Sequence, residues 1–371
     1  MRTGLMGGIA LLGTLAVVAC GGTSTPAATN SGTPKPAASG NPTTAVTLSE
    51  SGSSLLLPFL QELVAPITAA YPNITLAPSG GGSGKGITDA IAGNSLLGGT
   101  DAYLSPAQFS ANPSIANIPV AVSAQGVWFS LPGITSLKLS GDVLAQIYSG
   151  TITKWNDPAI AALNSGVTLP ATTIIPLVRQ GTSGDTFLFT SFLSATNSTW
   201  SSGPGFGTSV PWPKVAGEGS AASNPGMVAA CKTGCIAYIG VSASAAAQSA
   251  GLGQAMIENK SGNFLTPTPT TIAAAVTAGA ASIPSNLALS LIYEGGAQSY
   301  PIVNFEYLVV NTTQSSSDDA LAIRTFFEWT IDPNGGSTAA FLAKENFVGL
   351  QASVPASVLS AIQAKIGSIT G

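Results

Sequence analysis

The sequence predicts an α/β fold with a largely parallel or mixed sheet. The first observation is a succession of apolar strand, small polar loop and helix, which occurs three times along the chain. Strands that alternate with helices in this way are typical of α/β layers. The second observation is that 45% of the 371 residues are hydrophobic and only 8% are charged. Apolar material for a large core is therefore plentiful, and the length suits two domains or one large one.

The three units differ in sequence but share one order of elements. Each runs from a strand through small polar residues into a segment with apolar residues at helical spacing. The units are strand 46–48 with loop 51–54 and a helix up to Pro72, strand 74–76 with loop 79–86 and helix 87–94, and strand 172–178 with loop 179–185 and helix 186–194.

A serine lies at or just before each of these helix N-termini, at Ser54, Ser83 and Ser183. Each serine taken alone is best explained as a helix N-cap. Taken together, three N-termini with unpaired N–H groups and positive dipole ends indicate an anion site. Neither a P-loop nor a GxGxxG pattern fits loop 79–86, so the anion is not predicted to be a nucleotide.

Composition excludes several classes of function. With 12 Lys and Arg against 16 Asp and Glu, the net charge is −4, and the chain lacks a basic surface for nucleic acid. The chain has no histidine, which excludes Ser-His-Asp and Cys-His nucleophiles and every histidine-containing metal site. Its three cysteines are too few for a four-thiolate zinc site or a Cys-ligated iron–sulfur cluster. We expect no catalytic residue, no metal and no cofactor.

The N-terminal residues 1–19 have the shape of a secretory signal, with a positive start and an apolar run too short to span a bilayer comfortably. The run ends in VVAC, which resembles a bacterial lipobox, so that Cys20 would carry lipid. The alternative is an ordinary signal peptide that ends near a cysteine. Residues 21–45 contain no large apolar side chain, and we expect 20–45 to form a lipidated, disordered tether. The predicted location is the outer face of a bacterial cell membrane.

Two further cysteines, Cys231 and Cys235, lie four residues apart in the segment CKTGC. In an exported chain this spacing indicates a small disulfide loop. The alternative is a redox pair, although the spacing is not CxxC and no thioredoxin-like pattern surrounds it.

Several longer motifs point to a known family. The most specific are IYSGTITKWNDPAIAALN and VRQGTSGDTFLFTSFL, at 147–164 and 178–193. Supporting motifs are GSSLLLPF (52–59), GGGSGKGI (80–87), GGTDAYLS (98–105), CIAYIG (235–240) and YPIVNFEYLVVN (300–311). In these segments the chain resembles the phosphate-binding lipoproteins of Pst-type ABC importers, which are class II periplasmic-type solute-binding proteins. The resemblance extends from about residue 46 to near the C-terminus.

The resemblance implies a two-lobe, class II periplasmic-binding-protein-like fold with a ligand cleft between lobes joined by two crossings. The first lobe would comprise 46–122 and 304–371, and the second lobe 123–303. The implied partners are inorganic phosphate and the membrane permease subunits of an ABC importer. The implied protein is a monomer without a cofactor.

The resemblance also implies a phosphate site assembled from three helix ends. By position in the motifs, the site would comprise Ser53, Ser54 and Leu55 from the first end, Ser83 from the second, Ser183, Gly184 and Asp185 from the third, Arg179 as the cationic partner and Asp101 as the buried carboxylate. Many family members have Thr at the position of Asp185, and Leu55 replaces a commoner Phe. Asp185 could instead cap its helix, and Arg179 could instead pair with Asp185 or Asp101.

A buried carboxylate has a physical consequence for selectivity. An Asp that faces an anion repels it unless a proton lies between them. Phosphate keeps a proton at neutral pH and can donate it to Asp101, and also to Asp185, whereas sulfate is fully ionised. A site built around one hydrogen bond can reject a ligand that lacks it by about 10⁴-fold. We therefore expect Asp101 to select protonated phosphate.

Three alternatives remain open. The first is an enzyme that acts on phosphate esters, which the composition argues against. The second is a surface lipoprotein for adhesion or sensing that reuses the fold. The third is a binding protein for another tetrahedral oxyanion, such as sulfate or molybdate, which the paired acids disfavour.

Overall fold

The computed structural model of the protein describes residues 40–371. The predicted signal segment 1–19, the predicted lipidation site Cys20 and the predicted tether up to residue 39 lie outside the described residues. Across the described range, none of the helices combines the length and the apolar character that a membrane crossing needs.

Strands and helices alternate along most of the chain. The strands are β1 (Val46–Gly52), β2 (Ile74–Gly80), β3 (Leu97–Thr100), β4 (Ile115–Phe129), β5 (Ser136–Leu139), β6 (Ile175–Arg179), β7 (Gly219–Ala221), β8 (Cys235–Gly240), β9 (Gly253–Glu258), β10 (Phe264–Leu265), β11 (Leu291–Ile292) and β12 (Ile302–Asn311). The helices are α1 (Leu57–Ala70), α2 (Ser83–Ala92), α3 (Pro106–Ala111), α4 (Gly141–Tyr148), α5 (Pro158–Leu163), α6 (Gly184–Thr196), α7 (Ser198–Ser202), α8 (Asn224–Ala230), α9 (Ser244–Ser249), α10 (Pro269–Gly279), α11 (Ser317–Ile331), α12 (Ala339–Glu345), α13 (Leu350–Ser353) and α14 (Ala356–Gly367), with a 3₁₀ turn at Val241–Ala243.

The sheet is mixed, as the sequence predicts. Its main path follows the order β2-β1-β3-β12-β4-β8-β6-β7. Strands β1, β2 and β3 are parallel to one another, and β6 is parallel to β7 and β8. Strand β12 runs antiparallel to β3 and β4, and β4 runs antiparallel to β8.

Strand β4 divides the sheet into two lobes because it changes partners along its length. Residues 115–124 pair with β12, whereas residues 125–129 pair with β8. The first lobe therefore holds β1, β2, β3 and β12, and the second lobe holds β5 to β10. The chain crosses once along β4 and returns in the segment before β12. This is the two-lobe architecture that the sequence predicts.

All three predicted strand–loop–helix units are present, as β1–α1, β2–α2 and β6–α6. The prediction was wrong about the start of the second helix, which begins at Ser83 rather than at Ile87. The small residues of the loop allow this earlier start. Gly86 lies so close to β1 and β3 that a Cβ there would be 2.6 Å from the Ser51 carbonyl oxygen and 2.5 Å from that of Gly99. Because residue 86 is glycine, the N-terminal end of α2 packs directly against the carboxyl ends of β1 and β3.

The prediction of a disordered tether up to residue 45 was wrong for its last residues. Thr43 and Thr44 each donate a backbone N–H and a hydroxyl hydrogen bond to the Asp318 carboxylate at the start of α11. Gly40 exchanges two hydrogen bonds of 2.8 Å with the Thr325 side chain. This segment is ordered despite its low hydrophobicity, because its hydroxyl and N–H groups donate hydrogen bonds to a carboxylate at a helix N-terminus.

The disulfide prediction is confirmed. Cys231 and Cys235 are joined, with their Cα atoms 5.4 Å apart, and both residues are buried. The bridge closes the turn between α8 and β8. Gly234 takes a φ of +90° inside this turn, which suits a residue without a side chain.

We predict that the double substitution Cys231→Ser with Cys235→Ser lowers the free energy of unfolding by about 2 kcal/mol, because so short a loop removes only modest entropy from the unfolded chain. Chemical denaturation of protein beginning at residue 40 measures the change. Wild-type protein in reducing agent is the control and should match the double variant. Equal stability of the oxidised wild type and the variant would contradict the prediction.

Candidate functional site

Four chain segments converge where the two lobes meet. In the first lobe these segments follow the carboxyl ends of β1, β2 and β3, which lie at one edge of the sheet because the strands are parallel. In the second lobe the segment follows β6 and leads into α6. The structure brings all nine residues of the predicted site to this region or to its margin.

Asp101 lies at the centre of the first-lobe part and is 2% exposed. The Ser53 hydroxyl donates a hydrogen bond to Asp101 Oδ1. The Asp101 backbone N–H donates to Ser83 Oγ at 3.2 Å. Ser53 Oγ also accepts from the N–H groups of Leu55 at 3.0 Å and Leu56 at 3.1 Å. One polar cluster therefore joins both helix ends of this lobe to the carboxyl group.

Capping is the wrong explanation for the serines of the second and third units. Ser83 is the first residue of α2 rather than its cap, and its hydroxyl faces Asp101. Ser183 is the N-cap of α6, but its hydroxyl makes no capping bond. Ser183 Oγ is buried and has no hydrogen-bond partner among the described residues. In the first unit Ser53, and not Ser54, accepts hydrogen bonds from the N–H groups of Leu55 and Leu56, in the turn that leads into α1.

Gly184 brings the second lobe directly against this cluster. A Cβ at Gly184 would overlap Asp101 Oδ2 and Ser83 Oγ, so a side chain does not fit there. Nearby, the Gly84 N–H donates to the Thr182 carbonyl oxygen at 3.2 Å. The backbone of the second lobe therefore lies directly against the first lobe at Thr182 and at Gly184.

Arg179 and Asp185 form a buried ion pair in the second lobe, and both side chains are 1% exposed. Of the two alternatives for Arg179, the structure shows pairing with Asp185 rather than with Asp101. Arg179 Nη2 donates to Ser54 Oγ at 3.1 Å and to the Ala222 carbonyl oxygen at 2.9 Å. Arg179 Nε is buried and has no partner within the part of the chain described. The guanidinium group therefore bonds to both lobes, and its Nε–H donor is unused within the described residues.

Asn224 and Gln125 complete the surroundings of Asp185, and sequence reasoning missed both. Asn224 Nδ2 lies 3.0 Å from Asp185 Oδ2 and 3.4 Å from Ser54 Oγ, and its backbone N lies 3.3 Å from the same hydroxyl oxygen. Gln125 Nε2 donates to Asp185 Oδ1 at 3.2 Å. The segment SNPG at 223–226 starts α8 with a capping serine, which marks a helix end but not its neighbours.

A third missed residue is Glu306 on β12, inside the motif at 300–311. It is fully buried, and its Oε1 accepts from Ser123 Oγ at 2.5 Å and from Asn304 Nδ2 at 2.9 Å. Asn304 Nδ2 also lies 3.5 Å from the Asp101 carbonyl oxygen, so the Glu306 carboxyl group lies beside Asp101.

Burial governs the protonation of these acids. Burial, with the nearby charge of Asp185, raises the pKa of Asp101 to about 7, although Ser53, Glu306 and Arg179 act in the opposite direction. Burial and the charge of Asp101 raise the pKa of Glu306 well above its usual range. Near neutral pH the region therefore retains protons that exposed carboxyl groups would lose.

The arrangement suits the capture of an anion that carries a proton. Helix N-termini, serine hydroxyls and one guanidinium group supply donors, and Asp101 supplies an acceptor. Over residues 40–371, no group of three or more His, Cys, Asp or Glu is placed to hold a metal ion.

Comparisons with known proteins agree with this arrangement. A model of the PBP superfamily domain matches residues 27–334. The phosphate-binding protein PstS of Methanocaldococcus jannaschii is 33% identical over 329 residues, which is 82% of each chain. The phosphate-binding protein PstS3 of Mycobacterium bovis is 32% identical over 346 residues, or 89% of this chain and 90% of that protein.

Solved structures show the same fold. A high-affinity periplasmic phosphate-binding protein bound with phosphate, PfluDING, aligns with a TM-score of 0.67 at 20% identity over 86% of this chain and 93% of its own. A phosphate-binding protein from Stenotrophomonas maltophilia aligns with a TM-score of 0.64 at 17% identity over 86% and 94%. The family match and the long alignment with the Methanocaldococcus protein establish that this chain belongs to the PBP superfamily and, within it, to the PstS phosphate-binding proteins.

Proposed function

We propose that the protein binds inorganic phosphate with high affinity between its lobes and delivers it to the permease subunits of an ABC importer. The observation that carries this proposal is Asp101, a buried acceptor surrounded by hydroxyl and N–H donors at the junction of the lobes. The relatives named phosphate-binding protein PstS support the choice of ligand.

The proposed ligand contacts follow from the groups at the junction. Ser183 Oγ and Arg179 Nε are buried donors without partners, and phosphate oxygens would satisfy both. The remaining proposed contacts are the residues of the three helix ends and the carboxylate: Ser53, Ser54, Leu55, Ser83, Gly184, Asp185 and Asp101. We propose that Asp185 contacts phosphate through its main-chain N–H, because its carboxylate already holds Arg179.

The division into lobes is part of the proposal. We propose a first lobe of 46–122 and 304–371 and a second lobe of 123–303. Support comes from β4, which exchanges its first-lobe partner for a second-lobe partner between Ala124 and Gln125. At the return crossing, β11 pairs with residues 302–303, directly before the second boundary.

The mechanism that we propose is capture without chemical conversion. Closure of the lobes replaces the hydration shell of phosphate with hydrogen bonds and presents both lobes to the permease. The protein would act as a monomer on the outer face of the cell membrane, held there by lipid on Cys20. The N-terminal signal and lipobox-like pattern support this location.

We predict that Asp101→Asn reduces the preference for phosphate over sulfate by about 100-fold or more, because an amide can donate to sulfate and carries no charge to repel it. Calorimetric titration of both anions, on protein beginning at residue 40 and stripped of carried-over phosphate, measures the two affinities. Wild-type protein should bind one phosphate tightly and give no sulfate signal.

Asp142→Asn is a matched control, because among residues 40–371 the Asp142 carboxylate accepts hydrogen bonds only from Gln146 and Asn197, on the surface of the second lobe. An Asp101→Asn protein with undiminished discrimination against sulfate would contradict the proton-reading role. Tight sulfate binding by the wild type would favour another oxyanion as ligand. A folded wild type that binds neither anion would favour an adhesion or sensing role.

We predict that Gly184→Ala weakens phosphate binding by about 10-fold to 100-fold, because the added methyl group prevents the lobes from closing onto Asp101 and Ser83. The substitution occurs in the first turn of a helix, where Ala is well tolerated, so the thermal stability of the ligand-free protein should not fall. Titration and thermal unfolding measure the two effects separately.

Gly295→Ala is the control, since a Cβ there meets no atom within 4 Å. It should leave phosphate affinity unchanged. If Gly184→Ala bound phosphate as tightly as the wild type, the proposed closed geometry would be incorrect.

A further inference from the structure

Glu306 and Asp101 form a pair of buried carboxyl groups at the back of the site. Glu306 lies on β12, whose neighbours in the sheet are β3 and β4, and has no solvent exposure. Its Oε1 accepts two hydrogen bonds, from Ser123 and Asn304. Its Oε2 is buried and faces no donor in the described structure. Asn304 Nδ2, which donates to Glu306 Oε1, also lies 3.5 Å from the Asp101 carbonyl oxygen, so the Glu306 carboxyl group lies beside Asp101.

Two carboxyl groups that lie side by side away from water are stabilised by a proton between them. If both were ionised they would repel each other at short range, and Glu306 Oε2 would remain buried without a donor. One proton removes the repulsion and supplies the missing hydrogen bond, as in other buried carboxyl pairs.

The surroundings decide which residue holds this proton. Asp101 accepts a hydrogen bond from the Ser53 hydroxyl, and the positive charge of Arg179 across the cleft stabilises its negative charge. Glu306 takes part in none of the ion pairs of the described residues. The anion therefore belongs on Asp101 and the proton on Glu306 Oε2.

We propose that Glu306 is a positioning residue whose protonated carboxyl group donates to Asp101 and holds it as an anionic acceptor turned towards the ligand. This inference rests on the proposed phosphate-binding function and adds a selectivity-determining residue to it. Asp101 would then stay ionised and accept a hydrogen bond from the protonated ligand, because Glu306 donates to it from the side away from the ligand.

Because of this carboxyl pair, we expect the phosphate affinity of the site to fall at alkaline pH. The charged groups that face it are Arg179 and Asp185, and the nearest titrating hydroxyls are those of Tyr103 and Tyr307. Burial raises the pKa of both tyrosines, so their hydroxyls stay neutral at mildly alkaline pH. Loss of the Glu306 proton places a second negative charge behind Asp101, and phosphate affinity falls. Monohydrogen phosphate keeps its own proton in this range, so the ligand does not cause the loss.

Glu306→Gln tests the inference, because the amide can donate to Asp101 and accept from Ser123 and Asn304 but cannot ionise. We expect its phosphate affinity at neutral pH to stay within about 3-fold of the wild type. Between about pH 7 and about pH 10, wild-type affinity should fall by about 10-fold or more, and the affinity of Glu306→Gln should not. Titration calorimetry across this range measures both profiles.

Two further variants separate a positioning role from a merely structural one. Glu306→Met has no donor, so its phosphate affinity should fall by about 10-fold or more at neutral pH, while Glu306→Gln retains binding. Tyr103→Phe is the matched control for a tyrosine origin and should keep the alkaline fall. An identical alkaline fall in wild type and Glu306→Gln would overturn the proposal, and so would undiminished binding by a folded Glu306→Met protein.

Infrared difference spectroscopy tests the proton without any ligand. The carbonyl band of a protonated carboxylic acid should be present in ligand-free wild type at neutral pH and should lose the Glu306 contribution in Glu306→Gln. An unchanged band would overturn the proposed protonation even if phosphate binds. If the band changes as expected but the wild type binds no phosphate, the proposed function fails and the carboxyl pair stands.

Discussion

The rest of the site depends on the burial of Asp101. An ionised carboxylate withdrawn from water costs several kcal/mol unless donors surround it. In the first lobe the Ser53 hydroxyl bonds to one oxygen of Asp101, and the Glu306 carboxyl group lies beside it. In the second lobe the buried Asp185 carboxylate is stabilised in the same way by its ion pair with Arg179. Asp101 and Asp185 therefore each have a partner within their own lobe, and the lobes can separate without leaving either of these two acids alone.

The lobes are held together by polar contacts at the site and by apolar ones, such as the edge-to-face pair of Tyr103 and Phe187. Ser54 Oγ accepts from Arg179 and from Asn224, and Ser242 Oγ donates to the Leu55 carbonyl oxygen at 2.9 Å. A hydrogen bond of this kind contributes about 1 kcal/mol net, so such contacts favour closure only slightly. Gly184 allows backbone groups to approach where side chains would block them. A ligand whose acceptor oxygens bond to both lobes shifts the equilibrium towards the closed state.

The sequence predicts what local pattern controls. Strand–loop–helix order leads to the mixed α/β sheet and the three serines indicate an anion site, whereas Asp101 follows only from the resemblance to the phosphate-binding lipoproteins. The pairing of Arg179 with Asp185 was one of two open alternatives, since only the closed fold decides which acid faces the guanidinium group. Glu306 could not be assigned because Asp101 lies more than 200 positions away and no periodicity links them. The ordered packing of residues 40–44 could not be predicted from composition, because it depends on polar hydrogen bonds rather than on apolar burial.

The charge balance explains how an acidic protein with few cations can bind an anion. With Glu306 protonated, Arg179 contributes one positive charge, and Asp101 and Asp185 contribute two negative charges. Net charge therefore does not attract phosphate into the site. The attraction comes from directed dipoles, the N–H groups at helix ends and the serine hydroxyls, which act over short distances. In the proposed mechanism a ligand must satisfy these donors and also bring a proton for Asp101. Because general attraction is absent, we expect geometry and the protonation state of the anion to decide which anion is bound.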